Sequence, residues 1–379
     1  MRGNVLPAEY HGYVANRNLG EARRAKNDEF YTQYHTVEKE MNAYLEYSPD
    51  VFRGKTILLP CDDPEWSNFT KYFAQNFDAL GIKKIISTSY APNSKPDDLF
   101  AEPTLFELES PQYDEGKSSA NGKIYTLSRD VNNDRVINYD DLEWEYLEGD
   151  GDFRSAEITA LRDEADIVIT NPPFSLFREF LTWLVQGNKQ FVIIGNMNAI
   201  TYKEVFLLIR ANKLWLGATG NGSDMVFGVP PGAEIAPGDR EKAAKLGYVG
   251  DYTRLGNACW FSNLDHGRRH QALPLMTKAD NLKFSRHKSV KDVGYVKYDN
   301  YDAIEVPFTD SIPSDHNGVM GVPISFLDKY SPEQFEIIGL AAGNIRGLAG
   351  IPTTTGKDGP YIEGKLKYGR ILIKHRGSK

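Results

Sequence analysis

The fold follows from residues 165–185, which read Ala-Asp-Ile-Val-Ile-Thr-Asn-Pro-Pro-Phe-Ser-Leu-Phe-Arg-Glu-Phe-Leu-Thr-Trp-Leu-Val. The β-branched run over 166–170 predicts a buried strand. Asn171–Phe174 ends this strand, because neither of its prolines can donate a hydrogen bond to a sheet ladder. Ser175 is the expected N-cap of a helix whose apolar residues recur at helical spacing up to Gly187. The sequence therefore predicts a rigid loop beyond the carboxyl end of a strand, where open α/β sheets place their chemistry.

The loop Asn171–Phe174 has the residue types that would activate an aromatic amine. An exocyclic base amine is a poor nucleophile because its lone pair is delocalised into the ring. Acceptors held against its two N–H bonds, here the Asn171 oxygen and a prolyl carbonyl, draw the nitrogen towards tetrahedral geometry without a strong base. Phe174 can stack on a base taken out of the duplex. The alternative is a proline strand terminator with a capping asparagine and a core phenylalanine.

In this context Asn171-Pro172-Pro173-Phe174 resembles the catalytic motif of amino-methyltransferases that use S-adenosylmethionine. The surrounding stretches are similar to the EcoRI-type adenine-specific DNA methyltransferases over most of the chain. The resemblance implies an α/β fold, namely a Rossmann-like S-adenosylmethionine-dependent methyltransferase core with a doubly wound, mostly parallel sheet and a C-terminal mixed target-recognition region. It also implies that Asn171, Pro172, Pro173 and Phe174 are catalytic, that S-adenosylmethionine is the cofactor, and that double-stranded DNA is the partner.

The resemblance assigns further residues to the cofactor. Phe30, Tyr31 and Thr32, ahead of a helix predicted over 36–47, would contact the methionine end of the cofactor. Asp152 and Phe153, in a glycine-containing turn ahead of the catalytic strand, would bond and cover its adenine ring. Asn171 completes the set. Aromatic packing and an ordinary Gly-Asp turn are the alternatives that the residues leave open.

The turn after the first core strand, predicted over 55–60, departs from the general methyltransferase pattern. That pattern has a glycine-rich turn here, whereas no glycine lies between Lys55 and Leu80. The EcoRI-type family also lacks those glycines and has the sequence Pro-Cys-Asp-Asp that begins here at Pro60. The resemblance implies that Asp62 holds the amino group of the cofactor while Pro60 and Cys61 shape the turn. A surface loop with ordinary acidic residues is the alternative.

The chain has the composition of a soluble protein with unevenly distributed charge. Its 379 residues are 41% hydrophobic and 25% charged, with a formal net charge of −8. Residues 130–166 hold thirteen acidic residues against three arginines, whereas residues 266–297 hold eight basic residues against two aspartates. Residues 365–379 hold six basic residues and no acid. The C-terminal half therefore has basic surface to offer phosphates, although such runs are more often solvated faces.

The sequence predicts neither a membrane segment nor a metal site. It contains no run of 18 apolar residues and no apolar signal core, and Cys61 and Cys259 lack metal-ligand spacing. Residues 130–141 have oxygen ligands at positions 1, 3, 5 and 12 of a calcium loop, but Arg135 stands where that loop needs glycine. An acidic loop without metal is therefore the favoured interpretation, with calcium as the alternative. We expect a cytoplasmic protein.

The pattern of predicted elements divides the chain into three parts. Residues 1–27 form a polar N-terminal arm. The resemblance implies that residues 28–263 are a methyltransferase catalytic domain and that residues 264–379 are a target-recognition and DNA-binding region. The catalytic domain includes an inserted loop over 91–123 and a glycine-rich mobile loop over 217–256, which holds nine glycines and three prolines and is expected to close on DNA.

Beyond residue 264 the alternation of strands and helices fails, and a helix over Phe326–Leu340 and a strand over Arg370–His375 are predicted. Basic and aromatic residues are interleaved there, and they include Arg268, Arg269, Lys283, Phe284, Arg286, Lys288, Tyr295, Tyr298 and Tyr301. In a strand predicted just before this region, Trp260 or Phe261 is a candidate for lining the base pocket, with core packing as the alternative.

The motif Asn171–Phe174 and the resemblance together predict a site-specific DNA adenine N6-methyltransferase. It would act on a flipped-out adenine in a restriction-modification or phage-defence context. We expect a monomer, with a cognate restriction endonuclease as a partner outside any stable complex. The alternatives are methylation of another amine (cytosine N4, an RNA base or a protein glutamine) and a non-catalytic DNA-binding protein on the same scaffold. Cofactor binding separates the last alternative from the enzymes.

Overall fold

A computed structural model describes residues 30–61, 64–91, 108, 110–219, 225–229, 235–342, 359–367 and 369–377 of the chain. The strands are β1 (Tyr31–Thr32), β2 (Thr56–Leu59), β3 (Lys84–Thr88), β4 (Lys123–Leu127), β5 (Glu143–Tyr146), β6 (Ile167–Thr170), β7 (Gln190–Asn196), β8 (Trp215–Leu216), β9 (Met225–Gly228), β10 (Tyr252–Leu255), β11 (Ala258–Ser262), β12 (Ala303–Glu305), β13 (Val319–Pro323), β14 (Phe335–Ala341), β15 (Tyr361–Ile362), β16 (Lys365–Leu366) and β17 (Arg370–His375). The α-helices are α1 (Tyr34–Tyr47), α2 (Asn68–Gln75), α3 (Phe77–Leu80), α4 (Ala156–Glu164), α5 (Phe177–Gln186), α6 (Lys203–Arg210), α7 (Pro237–Lys245), α8 (Lys278–Phe284) and α9 (Lys288–Val293).

The central sheet has eight strands in the order β5-β4-β3-β2-β6-β7-β11-β8. Neighbours pair in parallel from β3 through β2 and β6 to β7, and the remaining neighbours pair antiparallel. Six of the eight strands therefore run in one direction, and β4 and β11 run against them. The fold is α/β with a mixed sheet. The predicted mostly parallel sheet holds for the strand directions, but only three of the seven neighbouring pairs are parallel.

Helices cover both faces of this sheet because its central strands are buried on both sides. Leu58 and Val168 point into the core beneath α4, α5 and α6, whereas Ile57 and Ile169, one residue along each strand, point into the core beneath α1 and α2. This alternation follows from the two-residue period of a strand. A continuous apolar run is therefore what the buried strand β6 requires.

The C-terminal region forms a second, four-stranded sheet in the order β12-β13-β17-β14. Its strands mix parallel and antiparallel pairs. Ile304, Phe335 and Ile371 of this sheet belong to the same apolar cluster as Phe206 and Phe261 of the preceding region. The region that we predicted from residue 264 onwards therefore shares a core with the central sheet.

The predicted strand over Arg370–His375 is confirmed, but the predicted helix over Phe326–Leu340 is wrong. A 3₁₀ helix, Ile324–Lys329, and the strand β14 occupy that segment. Pro332 lies between them, and a proline there cannot supply the helical N–H and clashes with the preceding turn. The apolar spacing that resembled a helix comes instead from β14, which carries a bulge between Ile337 and Gly339.

The segment over 217–256, predicted as one long loop, contains regular structure in its described parts. β9 pairs antiparallel with both β1 and β10, and α7 lies between β9 and β10 in the chain. The prediction of a continuous loop is therefore wrong, because the short apolar run Met225–Gly228 finds strand partners that a count of glycines does not register. Residues 220–224 and 230–234 of this segment lie outside the described residues.

Other predicted segments also lie wholly or partly outside the described residues. The arm over 1–27, most of the inserted loop (92–107 and 109) and residues 343–358 lie outside the described residues, whereas residues 110–122 form turns that lead into β4. None of the helices in the described ranges has the length and apolar character needed to cross a membrane. Within those ranges, no group of three His, Cys, Asp or Glu side chains could hold a metal ion.

The acidic loop over 130–141 uses its carboxylates to order its own backbone. Asp141 accepts from the N–H groups of Val131, Asn132 and Asn138, at 2.8, 3.2 and 3.0 Å. Asp130 accepts from two further backbone N–H groups of the loop. Burial acts to raise the pKa of Asp141, but these hydrogen bonds outweigh it and hold that pKa below its usual value. The loop therefore has a folded shape set by its own hydrogen bonds.

Candidate active site

The candidate site begins where the order of strands in the sheet reverses. From β2 the chain continues to β3 on one side, whereas β6 and then β7 lie on the other side. Ligands of open α/β sheets bind at the carboxyl ends of the strands at such a switch point. Here the two strand ends lead into Pro60 and Asn171, and the hydroxyl of Thr170 donates to the Pro60 carbonyl, which ties the ends together.

Asn171 lies at this point, and only the nitrogen of its side-chain amide has a hydrogen-bond partner among the described residues. Its Nδ2 donates to the carbonyl oxygen of Phe30 at 2.7 Å. Because that carbonyl can only accept, Nδ2 must face it and Oδ1 must face away. Oδ1 is buried and has no hydrogen-bond partner among the described residues. A buried acceptor without a donor costs roughly 1–3 kcal/mol, so the site is arranged for a donor that arrives from outside.

The rest of the Asn171–Phe174 loop forms an aromatic corner. Pro172 is buried, whereas Pro173 and Phe174 are partly exposed. The Phe174 ring lies 5.6 Å from the ring of Phe30, which in turn lies 5.7 Å from the buried ring of Phe227 on β9. The corner is therefore supported from behind and open in front, which is the arrangement that stacking on a planar ligand needs.

The predicted N-cap Ser175 is not the N-cap of the following helix. Phe174–Leu176 form a 3₁₀ turn, closed by a 2.9 Å hydrogen bond from the Leu176 N–H to the Pro173 carbonyl. Helix α5 then begins at Phe177 with Leu176 as its cap residue and no side-chain cap. The extra turn displaces the start of the helix along the chain because the two prolines fix the backbone direction before it.

The turn after β2 has a left-handed residue where glycine would be expected. Cys61 has a φ of 70°, a conformation that L-residues other than glycine rarely adopt. Glu65, on the far side of the turn, bonds to Tyr125 Oη at 2.8 Å and to Lys123 Nζ at 3.3 Å, both on β4. Side chains of β4, two strands away from β2 in the sheet, therefore hold the segment that follows this turn. Asp62, the predicted ligand of the cofactor amino group, lies outside the described residues.

The segment Phe30–Thr32 contacts both the Asn171–Phe174 loop and the start of α2. Beyond the contact from Phe30 to Asn171, the Thr32 carbonyl accepts from Asn68 Nδ2 at 2.7 Å at the start of α2. Thr32 is buried, and its hydroxyl has no partner within the described part of the chain. Tyr31 is partly buried and pairs with Gly228 of β9. The segment therefore brings a second unpaired polar atom to the site.

Asp152 lies beside the residues that follow β3, the strand next to β2 in the sheet. A Cβ at Gly151 would overlap the Ser89 carbonyl oxygen, so only glycine permits this close approach. The Asp152 carboxylate accepts from Arg154 (2.7 Å) and from Tyr90 Oη (3.1 Å). Burial acts to raise the pKa of Asp152, but the hydrogen bonds and charge of Arg154 outweigh it and hold that pKa below its usual value. The carboxylate is thus fixed in its ionised form.

The aromatic side chains that we predicted for the adenine ring and for the base pocket lie in the core. Phe153 is buried, with its ring 5.0 Å from Phe180 and 5.7 Å from Trp183. Trp260 and Phe261 are fully buried in β11, so core packing is confirmed for both. The backbone of Phe153 stays next to Asp152, which keeps that position beside the site even though its ring packs inward.

The structure thus brings Phe30–Thr32, Pro60–Cys61, Asp152 and Asn171–Phe174 to one edge of the sheet. Sequence inspection missed the supporting residues Arg154, Tyr90 and Asn68. Arg154 lies two residues from Asp152 and could have been found by charge pairing. Tyr90 and Asn68 reach the site only through the fold, so no local signal marks them.

Comparison with known proteins identifies the relatives of this chain. A family model described as "Adenine-specific methyltransferase EcoRI" matches residues 18–376. The Type II methyltransferase M.EcoRI of Escherichia coli is 42% identical over 364 residues, which cover 96% of this chain and 98% of that protein. The Type II methyltransferases M.MpnI of Mycoplasma pneumoniae and M.MgeORF184P of Mycoplasma genitalium are each 32% identical, over 94% of this chain and 98% of their own length. No solved structure matches the chain.

Proposed function

The chain belongs to the EcoRI family of adenine-specific methyltransferases, and from this premise we propose that its substrate is the N6 amine of an adenine in double-stranded DNA. The family makes the chain an enzyme, an adenine-specific methyltransferase. The observation that carries the proposal is the buried Asn171 Oδ1, an acceptor with no partner among the described residues. An amine brings the N–H donor that this atom lacks.

We propose that the Asn171–Phe174 corner activates the amine through hydrogen bonds. Asn171 Oδ1 and a prolyl carbonyl of the corner each accept one N6–H bond, which draws the nitrogen towards tetrahedral geometry and frees its lone pair. The bond from Asn171 Nδ2 to the Phe30 carbonyl fixes the direction of Oδ1, so no reorientation is needed at the moment of reaction. As N6 bonds to the methyl carbon, the bond from that carbon to the donor sulfur would break with its electron pair left on sulfur, and N6 would release one proton to solvent.

Phe174 supports a base that has left the duplex. Its ring is partly exposed and braced by Phe30 at 5.6 Å, so it can stack on a flipped adenine. Base flipping exposes the exocyclic amine, which an intact base pair keeps inside the helix. The corner therefore combines a stacking surface with acceptors at its edge, and these two features together favour a purine amine over a flexible aliphatic acceptor.

We propose that S-adenosylmethionine binds across the switch point, where it supplies a methyl group on a sulfonium centre. Phe30, Tyr31 and Thr32 would contact its methionine end, and the unpaired Thr32 hydroxyl provides a polar contact there. The turn Pro60–Asp62 would hold its amino group. The fixed carboxylate of Asp152 would accept from its adenine, with the Phe153 backbone alongside. Asn171 would contact it from the catalytic side. On this proposal the core is a Rossmann-like methyltransferase domain.

The cellular setting also follows as a proposal from the relatives, whose names describe Type II methyltransferases. We propose that the chain modifies one specific DNA sequence as a monomer. It would act beside a cognate restriction endonuclease, with no stable complex between the two proteins. The C-terminal region would supply recognition of that sequence, consistent with the basic residues over 266–297.

The test is modification-detecting sequencing of DNA from a host that expresses the protein. N6-methyladenine in one recurring sequence, absent from a host that expresses Asn171→Ala, is the expected result. Modified cytosine in that DNA would overturn the adenine assignment. Unmodified DNA, together with methylation of RNA or of a protein glutamine by the purified protein, would overturn it as well. No modification, together with no binding of S-adenosylmethionine by the purified protein, would identify a non-catalytic DNA-binding protein.

A further inference from the structure

The structure separates the basic residues of the C-terminal region into two groups. Arg268 donates to the Ala218 carbonyl at 2.9 Å and pairs with Asp328. Arg269 is buried, with its guanidinium 3.7 Å from the centre of the Trp215 ring and 2.9 Å from a carboxylate oxygen. These two arginines hold the fold together and are not available to a ligand. The basic residues of the region that can contact a ligand lie further along the chain.

The second group lies on α8 and α9. Residues 278–293 hold five Lys or Arg against two Asp in a chain whose net charge is −8. Lys283, Lys288 and Lys291 on the helices are exposed, and so is Arg286 between them, which also pairs with Asp310 at 2.9 Å. Asp280, one of the two acids, bonds with the Thr277 hydroxyl that caps α8. The outer surface of this helix pair is therefore positive, against the overall sign of the protein.

Apolar side chains are exposed on the same helix pair. Phe284 is 61% exposed, Val293 67% and Leu282 42%. A Cβ at Gly294, next to Val293, would lie 3.3 Å from a methyl carbon of Leu282, so the two helices bring these residues close together. Apolar side chains exposed close together on one surface are typical of a site that a partner covers.

Packing and hydrogen bonds anchor the helix pair to the rest of the protein. His287 stacks on Phe308 with 3.6 Å between ring centres, and Tyr295 donates to the Ser311 carbonyl at 2.6 Å. Asn281 and Val290 are fully buried beneath the two helices. The exposed residues are therefore presented in fixed positions, which lowers the entropy lost when a partner binds.

We propose that this surface, formed by Leu282, Lys283, Phe284, Arg286, Lys288, Lys291 and Val293, binds the sugar-phosphate backbone and groove edge of duplex DNA. Charge complementarity selects the occupant, since DNA carries one negative charge per roughly 1.7 Å of helix axis. Lysine and arginine contact phosphates, and the apolar residues contact deoxyribose and base edges. The inference rests on the proposed function, in which duplex DNA is the substrate.

The test removes charge from this surface and measures DNA binding by the full-length protein. Lys283→Gln/Lys288→Gln/Lys291→Gln is expected to bind a methylatable duplex about 10- to 100-fold more weakly at 0.15 M salt. The slope of log K against log salt should fall by about 3, because roughly one counterion is released per phosphate contact. Binding of S-adenosylmethionine should be unchanged, since the replaced side chains are exposed.

The matched control, Lys83→Gln/Arg210→Gln/Lys213→Gln, removes the same charge from exposed residues. Lys83 and Lys213 precede β3 and β8, at the edge of the sheet opposite the candidate site. The control should keep the wild-type salt slope. Phe284→Ala should weaken binding while leaving the slope unchanged.

Equal salt slopes for the surface variant and the control would overturn the assignment of this surface. A wild-type protein that binds no DNA would instead overturn the proposed function itself. The two failures are therefore distinguishable, because the first leaves DNA methylation by the wild-type protein intact.

Discussion

Asn171 is the residue whose contacts distinguish a methylation site from a simple strand terminator. A capping asparagine would use its oxygen to accept from a nearby backbone N–H. Here Oδ1 is buried and has no partner in the described chain, while Nδ2 bonds to Phe30, 141 positions away in the sequence. The side chain is thus oriented by a distant residue, and its acceptor is kept available.

Replacement of Asn171 with alanine should remove methyl transfer and spare cofactor binding. Loss of one preorganised electrostatic contact at a reacting atom costs about 10²- to 10³-fold in turnover, and we expect at least that here. Single-turnover methylation and calorimetric titration with S-adenosylmethionine measure the two properties separately. Turnover close to wild type would remove the role that we assign to Asn171.

Asn171→Asp serves as the conservative companion to the alanine variant. It keeps an acceptor but loses the Nδ2 donor, so the carboxylate and the Phe30 carbonyl would repel one another. We expect a loss of activity in this variant too, because the acceptor is no longer oriented. An active aspartate variant would mean that the bond to Phe30 does not position the oxygen.

At the scale of elements, side chains two strands away hold the segment that follows β2. Cys61 adopts a left-handed conformation without the freedom of glycine. Glu65 bonds with Lys123 and Tyr125 of β4, and Tyr139 Oη reaches the Pro64 carbonyl at 3.4 Å. These contacts help to offset the steric cost of the left-handed Cys61, which a glycine at that position would not have.

Breaking the Glu65–Lys123 pair should destabilise the protein and weaken cofactor binding together. The two side chains are 14% and 11% exposed, so Lys123→Met leaves a mostly buried carboxylate without its cation and should cost about 3 kcal/mol of unfolding free energy. Glu65→Met/Lys123→Met should lose less than Lys123→Met alone, since no charge is then stranded. Urea denaturation and cofactor titration measure the two effects.

The exposed pair between Arg129 and Glu143, at the end of β4 and on β5, is the control. Arg129→Met should change the unfolding free energy by less than about 1 kcal/mol, because solvent screens such pairs. A loss as large as that of Lys123→Met would show that the cost does not come from burial of the charge.

At the scale of the whole molecule, His266 links folding to pH. Its Nε2 bonds to the Leu216 carbonyl at 3.0 Å, and Nδ1 is buried without a partner in the described chain. Burial, together with a smaller effect of the charge of Arg269, lowers the pKa of His266 to about 4, against an opposing effect of the bond to Leu216. The imidazole is therefore neutral in the folded protein at pH 7.

Stability should fall in acid partly because of this histidine. The unfolded chain binds a proton at His266 near pH 6.5, whereas the folded chain binds it only near pH 4. The stabilisation is thus present above pH 6.5 and is lost as the pH falls from there to about 4, at most about 3 kcal/mol. Urea denaturation between pH 7.5 and 5 should give a flatter profile for His266→Gln than for wild type.

The exposed His35 provides the matched variant for this measurement. His35→Gln should keep the wild-type dependence on pH, because its side chain stays in water on folding. Parallel profiles for all three proteins would assign the acid sensitivity to the carboxylates of the molecule and not to His266.

The sequence by itself determined the strand over 167–170, the corner Asn171–Phe174 and the helix after it, because apolar period and proline chemistry act between near neighbours. It also determined the strands β2, β11 and β17 and the family. It failed at Phe326–Leu340, where apolar spacing was weighed above Pro332, and at 217–256, where glycine content hid β9 and β10.

Only the tertiary structure decided how the site is assembled. Phe30 orients Asn171, Tyr90 and Arg154 fix Asp152, and β4 holds the segment that follows the turn at Cys61. It also decided which basic residues are exposed. Arg268 and Lys283 lie in the same basic stretch of the sequence, but Arg268 pairs with Asp328 whereas Lys283 is exposed. The physical reason is common to these cases. Burial and pairing depend on residues that are distant in the chain, and no local period or composition records which of them will meet.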